Sequence, residues 1–225
     1  MFPKQKRETN LAIAKEKFKG VKYCIWDVDL TFYRVTPQMA DELKDRIYKY
    51  ISQGQGISID EAKKNYEREF GRTKSKTAAM VSLGFNKYAI QEIIDGIGKQ
   101  EYLKEDPLLI QLFNTLSNYG HVIVSNSTRT SINKTLKILG LEENLFKLII
   151  TKDEVSTYKP SPEPFLKAIE TLGVKPEDCV SIGDVESSDI VPAKKLGMKT
   201  ILVWGNSEEA DISIPTIYDT KKVLT

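Results

Sequence analysis

Tyr23-Cys24-Ile25-Trp26-Asp27-Val28-Asp29-Leu30-Thr31 is the stretch on which the reading of this chain turns. An apolar run, rich in aromatic and branched residues, breaks off into two carboxylates. Such a run predicts a short strand buried on both faces, as in a parallel sheet. Side chains at i and i+2 of an extended segment share a face, so Asp27 and Asp29 project the same way from the strand end. Two carboxylates held that close repel each other unless a proton or a cation intervenes. A hard divalent cation such as Mg²⁺ takes oxygen ligands and keeps room for phosphate. Taken alone, the pair reads equally well as two solvated turn aspartates. The sequence on either side separates these readings.

Upstream, Leu11, Ile13, Ala14 and Phe18 form a loosely helical pattern over 4–18, stopped by Gly20, which predicts a surface helix. Downstream the character changes at Thr36-Pro37, a helix cap followed by a residue suited to the first turn. That helix runs to about Gln53 with Met39, Leu43, Ile47, Tyr50 and Ile51 as its apolar stripe. Ser58-Ile59-Asp60-Glu61 has the capping-box pattern and opens a second helix ending near Phe70-Gly71. Further helical segments follow near 75–83 and 87–95. Residues 36–100 therefore read as an all-helical island.

Beyond it, helices over 107–118, 129–139, 162–172, 187–196 and 218–223 alternate with strands over 122–124, 148–150, 179–182, 200–203 and 211–214. Strands separated by helices imply parallel βαβ units and a sheet covered on both faces. The expected organisation is an α/β core of residues 1–35 and 101–225, interrupted by a helical subdomain of residues 36–100.

Composition excludes several function classes. The chain has 225 residues, 40% hydrophobic and 28% charged, with a net charge of +2, so nothing sets it apart from an ordinary globular protein. Its compact basic cluster, Lys4-Gln5-Lys6-Arg7, is too small to argue for a nucleic-acid polymer. No apolar run approaches the roughly 18 residues of a membrane span. No long apolar N-terminal segment leads into a small-residue cleavage site, so the expected location is cytoplasmic. Two cysteines and one histidine cannot supply the usual four ligands of a structural zinc site. His121 falls at the start of a strand, whereas ligands in open α/β sheets collect at the carboxyl ends. It is expected to be structural, and a His-based nucleophile triad is rejected.

Four stretches of unusual polarity fall at strand ends or in the loops beyond them, all on one edge of such a sheet. Asp27-x-Asp29-x-Thr31 is the first. Ser125-Asn126 stands between a strand and a helix, where hydroxyl, amide and helix N–H groups suit an anion. Lys159, between Tyr158 and Pro160-Ser161-Pro162, offers one positive charge on a rigid approach to a helix. Gly183-Asp184-Val185-Glu186-Ser187-Ser188-Asp189 adds further carboxylates. Each has a bland reading: Ser125, Ser127 or Thr128 as helix caps, Lys159 as a solvated loop residue, Asp184 and Asp189 as ordinary termini. Chance would have to place acids, an anion cradle and a lysine each at the end of the right strand.

The order Asp-x-Asp-x-Thr, Ser-Asn, Lys-Pro, Gly-Asp-x4-Asp resembles the haloacid dehalogenase-like hydrolase superfamily over residues 21–214. The resemblance implies a Rossmann-like sheet in the order 3-2-1-4-5, with residues 36–100 as a helical cap. It implies that Asp27 is the nucleophile and forms an aspartyl-phosphate, with Asp29 as acid and then base. Mg²⁺ would be bound by Asp27, the backbone carbonyl of Asp29 and Asp184, with Asp189 on or near the metal. Ser125, Asn126 and Lys159, together with Thr31, would hold the phosphate. Members that displace halide lack a carboxylate two residues after the nucleophile, so Asp29 favours phosphate chemistry.

Tyr33 and the segment Asn65–Thr73 resemble the pyrimidine 5′-nucleotidase group, although Leu30 and Phe32 depart from its usual wording. Tyr33, Phe70 and Arg72 are accordingly the candidates for touching a leaving group. The expected activity is Mg²⁺-dependent hydrolysis of a small phosphomonoester, a nucleotide among the candidates. No partner beyond that small molecule is implied, and no oligomeric state. The alternatives are a sugar phosphomutase, which needs a cap acid/base that no residue announces, and a glycosyltransferase using Asp27-x-Asp29. The second leaves Lys159, Asp184 and Asp189 unexplained. A calcium loop starting at Asp27 fails, because Phe32 and Gln38 stand where Gly and Glu are required.

Overall fold

The computed structural model describes residues 15–73 and 75–225. The helix expected over 4–18 lies largely outside them; residues 15–17 are helical. Six parallel strands form one sheet: β1 (Tyr23–Trp26), β2 (Gly120–Val124), β3 (Phe146–Ile150), β4 (Cys179–Gly183), β5 (Lys199–Val203) and β6 (Ile212–Ile214). Their order is β3-β2-β1-β4-β5-β6, the expected arrangement with the short sixth strand added at the edge. β2 and β3 begin earlier than their apolar runs suggest. Gly120 is paired with Tyr23, whose ring lies 2.5 Å from where a Cβ would sit, so the start of β2 admits only glycine.

β2 and β4 are buried at every position, and β1 at all but its first, as central strands of a covered parallel sheet should be. One layer of the core joins Ile25, Val122, Val124 and Ile150 to Phe165, Ala168 and Met198. The other is aromatic: Trp26 meets Phe113 at 5.2 Å and Phe32 edge-on at 5.9 Å. His121 belongs to this second layer. It is buried, and its Nδ1 accepts from Trp26 Nε1 at 3.2 Å. Burial lowers its pKa to about 4, so the ring is neutral and structural. Cys24 and Cys179 are both free and buried. Cys179 pairs with Tyr23 and Cys24 with Val180, which sends the two thiols to opposite faces of the sheet.

The chain forms two compact units, Met1–Arg34 with Leu103–Thr225, and Val35–Tyr102. The second contains α1 (Pro37–Gln55), α2 (Ile59–Thr73), α3 (Lys76–Ser82) and α4 (Ala89–Asp95). Thr36 caps α1 by accepting from Met39 N–H, and Gly56 ends it at φ 66°. Met39, Leu43, Ile47 and Ile51 are buried as the spacing predicts. Tyr48, not Tyr50, completes that stripe. Tyr50 is half-buried instead, packing on Phe85 at 5.4 Å and donating to Glu92.

In the first unit, α5 (Pro107–Thr115), α6 (Arg129–Leu139), α7 (Glu163–Leu172), α8 (Val191–Lys195) and α9 (Thr220–Leu224) separate or follow the strands. The helix expected over 187–196 is a five-residue π-helix, Glu186–Ile190, leading into the short α8. Among the described residues no helix is long and apolar enough to cross a membrane.

Candidate active site

The strand order reverses between β1 and β4, the chain reaching β2 from β1 but β4 from β3, and the crevice of such a switch point opens at the carboxyl ends of these two strands. Asp27 stands at that point. Its N–H donates to the Ile182 carbonyl at 2.9 Å, extending the pairing of β1 with β4. The chain then reverses: the N–H groups of Thr31 and Phe32 both donate to the Val28 carbonyl, at 3.2 and 2.9 Å. The reversal runs through Leu30 at φ 65°. For an L-residue with a side chain this left-handed conformation costs about 1–2 kcal/mol. In return it brings the Thr31 hydroxyl back onto Asp27.

Asp27 is gripped from two sides. Lys159 Nζ donates to Asp27 Oδ1 at 2.8 Å and to Asp189 Oδ1 at 2.7 Å. Thr31 Oγ1 lies 2.9 Å from Asp27 Oδ2 and 3.1 Å from Asp184 Oδ1. Carboxylate oxygens of Asp27, Asp184 and Asp189 all lie within 4.8 Å of one another. Asp189 also accepts from Val185 N–H through Oδ2 at 2.9 Å, which fixes its orientation. The π-helix carries Asp189 inward over Gly183, where a Cβ would fall 2.4 Å from the Asp189 carboxyl carbon. Glycine at 183 is thus a requirement of the site.

Burial pushes Asp27 up to about 6 despite the attraction of Lys159, and the nearby charges of Asp189 and Asp29 add to the rise. Burial likewise raises Asp184 to about 8, helped by repulsion from Asp27 and Asp189. One hydroxyl proton cannot serve two carboxylates at once. With Asp184 protonated, its O–H can donate to Thr31 Oγ1 while Thr31 donates to Asp27, which satisfies all three groups. The surrounding carboxylates raise Lys159 above its usual value against the opposing pull of burial. Its removal would leave two buried carboxylates without a cation, a loss of about 3–5 kcal/mol.

Asp29 is buried two residues further on and is held differently. Its Oδ1 accepts from the Tyr33 hydroxyl at 2.7 Å and its Oδ2 from the Ser127 hydroxyl. Tyr33 is buried too, and burial together with the Asp29 charge raises its pKa well above the ordinary phenol value, so it stays a donor. The loop after β2 also fastens the lysine. Asn126 Nδ2 donates to the Lys159 carbonyl at 2.8 Å, leaving the amide its second N–H. Ser125 N–H continues the sheet to Ile150, and its Oγ accepts from Ser127 N–H at 3.2 Å. Thr128, not Ser125 or Ser127, caps α6.

The model of the haloacid dehalogenase-like hydrolase family matches residues 25–203. The chain belongs to that family. It is 34% identical over 122 residues to the pyrophosphatase PpaX of Halalkalibacterium halodurans, a match taking in 51% of this chain and 56% of that protein. The chain therefore spans only about half the length of that relative. With the glyceraldehyde 3-phosphate phosphatase of Pyrococcus furiosus it shares 28% identity over 205 residues, 86% of this chain and 85% of the other. Among solved structures, the phosphatase of this superfamily from Thermococcus onnurineus superposes with a TM-score of 0.64 at 28% identity. That superposition covers 91% of this chain and 98% of the other.

Hydrogen bonds and ion pairs link Asp27, Asp29, Thr31, Ser125, Asn126, Lys159, Asp184 and Asp189, through Ser127, at one sheet edge. The three leaving-group candidates each have partners within their own unit. Tyr33 has its hydroxyl committed to Asp29. Phe70 is stacked on Tyr66 at 5.9 Å and 8°. Arg72 is exposed, donating to Glu69 at 2.8 Å and to Ser82 at 3.0 Å. Reading the sequence alone did not assign Ser127 to Asp29, although its position two residues after Ser125 is a usable signal: alternate residues of an extended loop share a face. Nor did it single out Trp204, whose indole reaches the Thr31 carbonyl.

Proposed function

We propose that this chain is a Mg²⁺-dependent phosphatase acting on small phosphate esters through an aspartyl-phosphate on Asp27. One observation carries the reading: the Asp27 carboxylate lies between a buried lysine at 2.8 Å and a group of carboxylates, with a second aspartate held nearby by neutral hydroxyls. The donor set suits a hard cation. Asp27, Asp184 and Asp189 offer clustered oxygens, and the first two carry raised pKa values that a divalent charge would offset. When bound, Mg²⁺ supplies charge stabilisation to the phosphoryl oxygens.

In the proposed cycle an Asp27 oxygen attacks phosphorus and the bond to the leaving oxygen breaks. Asp29 gives that oxygen a proton. A water molecule then attacks the same phosphorus and passes its proton to Asp29. The bond to Asp27 breaks, leaving a free carboxylate and inorganic phosphate. Lys159, Ser125, Asn126 and Thr31 hold phosphoryl oxygens as their charge redistributes. The helical unit Val35–Tyr102 is assigned to leaving-group selection as the cap. The names of the relatives point to small phosphate compounds, so pyrophosphate and glyceraldehyde 3-phosphate stand beside nucleoside monophosphates as substrates to try. The test is a panel of these compounds with and without Mg²⁺ after thorough chelation. Hydrolysis that survives chelation undiminished defeats the metal assignment; no hydrolysis of any member defeats the phosphatase.

A further inference from the structure

The turn that carries the aspartates is braced from outside, and the brace is Trp204. This half-buried residue follows β5 with φ at 65°, a region that a bulky side chain occupies only when its surroundings hold it there. Its backbone N–H donates to the Ile214 carbonyl at 3.1 Å, continuing the pairing of β5 with β6. Its indole Nε1–H donates to the Thr31 carbonyl at 2.9 Å. The Arg34 guanidinium lies over the ring, 5.4 Å from its centroid. Tyr218 meets it edge-on at 6.2 Å and 84°. Tyr218 donates in turn to Asp106 Oδ2 at 2.6 Å, while Asp106 Oδ1 caps α5 by accepting from Leu108 and Leu109.

Two features of this set point beyond packing. Leu30 and Trp204, the non-glycine residues at positive φ among those described, adjoin or make a single contact, the one at the Thr31 carbonyl. Strain of this kind persists only where neighbouring structure over-determines it. Arg34 is also the last residue before Val35–Tyr102, and Asp106 follows shortly after the chain resumes at Leu103. The tryptophan and its tyrosine partner thus hold the aspartate turn, the exit of the chain and its return.

We propose that Trp204 is a positioning residue for the reaction described above. By holding the Thr31 carbonyl it keeps the strained turn from relaxing, and so keeps the Thr31 hydroxyl between Asp27 and Asp184. Arg34 and Tyr218 hold the indole in place for this. The proposal rests on the phosphatase reading, and its test separates the two.

Three proteins are compared: wild type, Trp204→Phe, and one carrying 3-benzothienylalanine at position 204. The last keeps the bicyclic shape and puts sulfur where the N–H was, so packing is preserved and the hydrogen bond is lost. With p-nitrophenyl phosphate and saturating Mg²⁺, the benzothienyl protein should lose roughly five- to tenfold in kcat, the worth of one hydrogen bond. Its KM should change less than its kcat, since Trp204 acts on the reacting carboxylate through Thr31 and is assigned no substrate contact of its own. Trp204→Phe should lose at least as much.

The chain has two tryptophans, so ¹⁵N-labelled tryptophan gives two indole signals. The one missing from Trp204→Phe should shift when Mg²⁺ is added to the wild type. A benzothienyl protein with wild-type kcat, or one altered in KM alone, overturns the proposal. A wild type that hydrolyses no phosphomonoester overturns the phosphatase reading instead. In that event an indole signal unmoved by Mg²⁺ overturns the role of Trp204 as well.

Discussion

The charged groups at the end of β1 and the arginine ion pairs of the helical unit are bound by different rules. In the first region partners are far apart in sequence: Thr31 meets Asp184, Lys159 meets Asp27, and Ser127 meets Asp29. All these groups are buried or half-buried. In the helical unit several ion pairs are local, Arg46 with Glu42 and Arg72 with Glu69, each within one helical turn and well exposed on the arginine side. Long-range polar contacts in a low-dielectric setting shift pKa values and fix orientation, whereas exposed local pairs stabilise little and orient loosely. With the chemistry proposed for the first region, replacing its residues should cost far more than replacing those of the second.

The largest expected effect is at Asp27. An amide is a poor nucleophile, so Asp27→Asn should reduce turnover by roughly 10⁴-fold or more. Measurable steady turnover near the wild-type rate would remove Asp27 from its role. Asp29→Asn should come next, and unequally on the two steps. A nitrophenyl leaving group hardly needs protonation, whereas attack of water on the phosphoenzyme needs a base, so the second step should slow by about 10²–10⁴-fold. Rapid mixing should show a burst of about one product per site, then slow release. With no burst and both steps equally slow, Asp29 would cease to be the base.

Tyr33 sharpens the comparison, because it is a leaving-group candidate whose hydroxyl donates to Asp29. Tyr33→Phe should lower kcat by about two- to tenfold, one hydrogen bond's worth, and should lower it for every substrate alike. A change in substrate ranking would return Tyr33 to the leaving group.

The raised values of Asp27 and Asp184 make a prediction about stability. A carboxyl whose folded pKa lies above its unfolded value contributes stability at low pH and loses it as pH rises through the folded value. His121 works oppositely, its folded value being lowered, but its contribution is complete above its ordinary value of 6.5. In chelator, the melting temperature should therefore fall between pH 6.5 and 8 as Asp184 ionises. Added Mg²⁺ should raise it more at pH 8 than at pH 6.5, and Asp184→Asn should flatten the slope. A melting temperature that climbs across that window in chelator would contradict the assignment.

The smallest effect belongs to the helical unit. Arg72→Ala removes an exposed local pair and should leave kcat on nitrophenyl phosphate within about twofold. Its effect on ranking among natural-type substrates is the sharper measurement. A large loss on every substrate would place Arg72 with the catalytic groups and erase the contrast between the regions.

The amino-acid order by itself determined the sheet, the helical island and the edge where the acids gather. Apolar runs broken by helices allow few parallel arrangements, and ligands collect where strands end. It also determined that Asp27, Asp29, Lys159, Asp184 and Asp189 belong together, since each ends a strand or occupies the loop that follows. What it could not contain was the direction of each bond. The π-helix that carries Asp189 inward, the commitment of Tyr33 and Ser127 to Asp29, and the reach of Trp204 to Thr31 depend on side chains brought close by the fold. No periodicity encodes those contacts. Only packing decides which of a residue's neighbours in space accepts its proton.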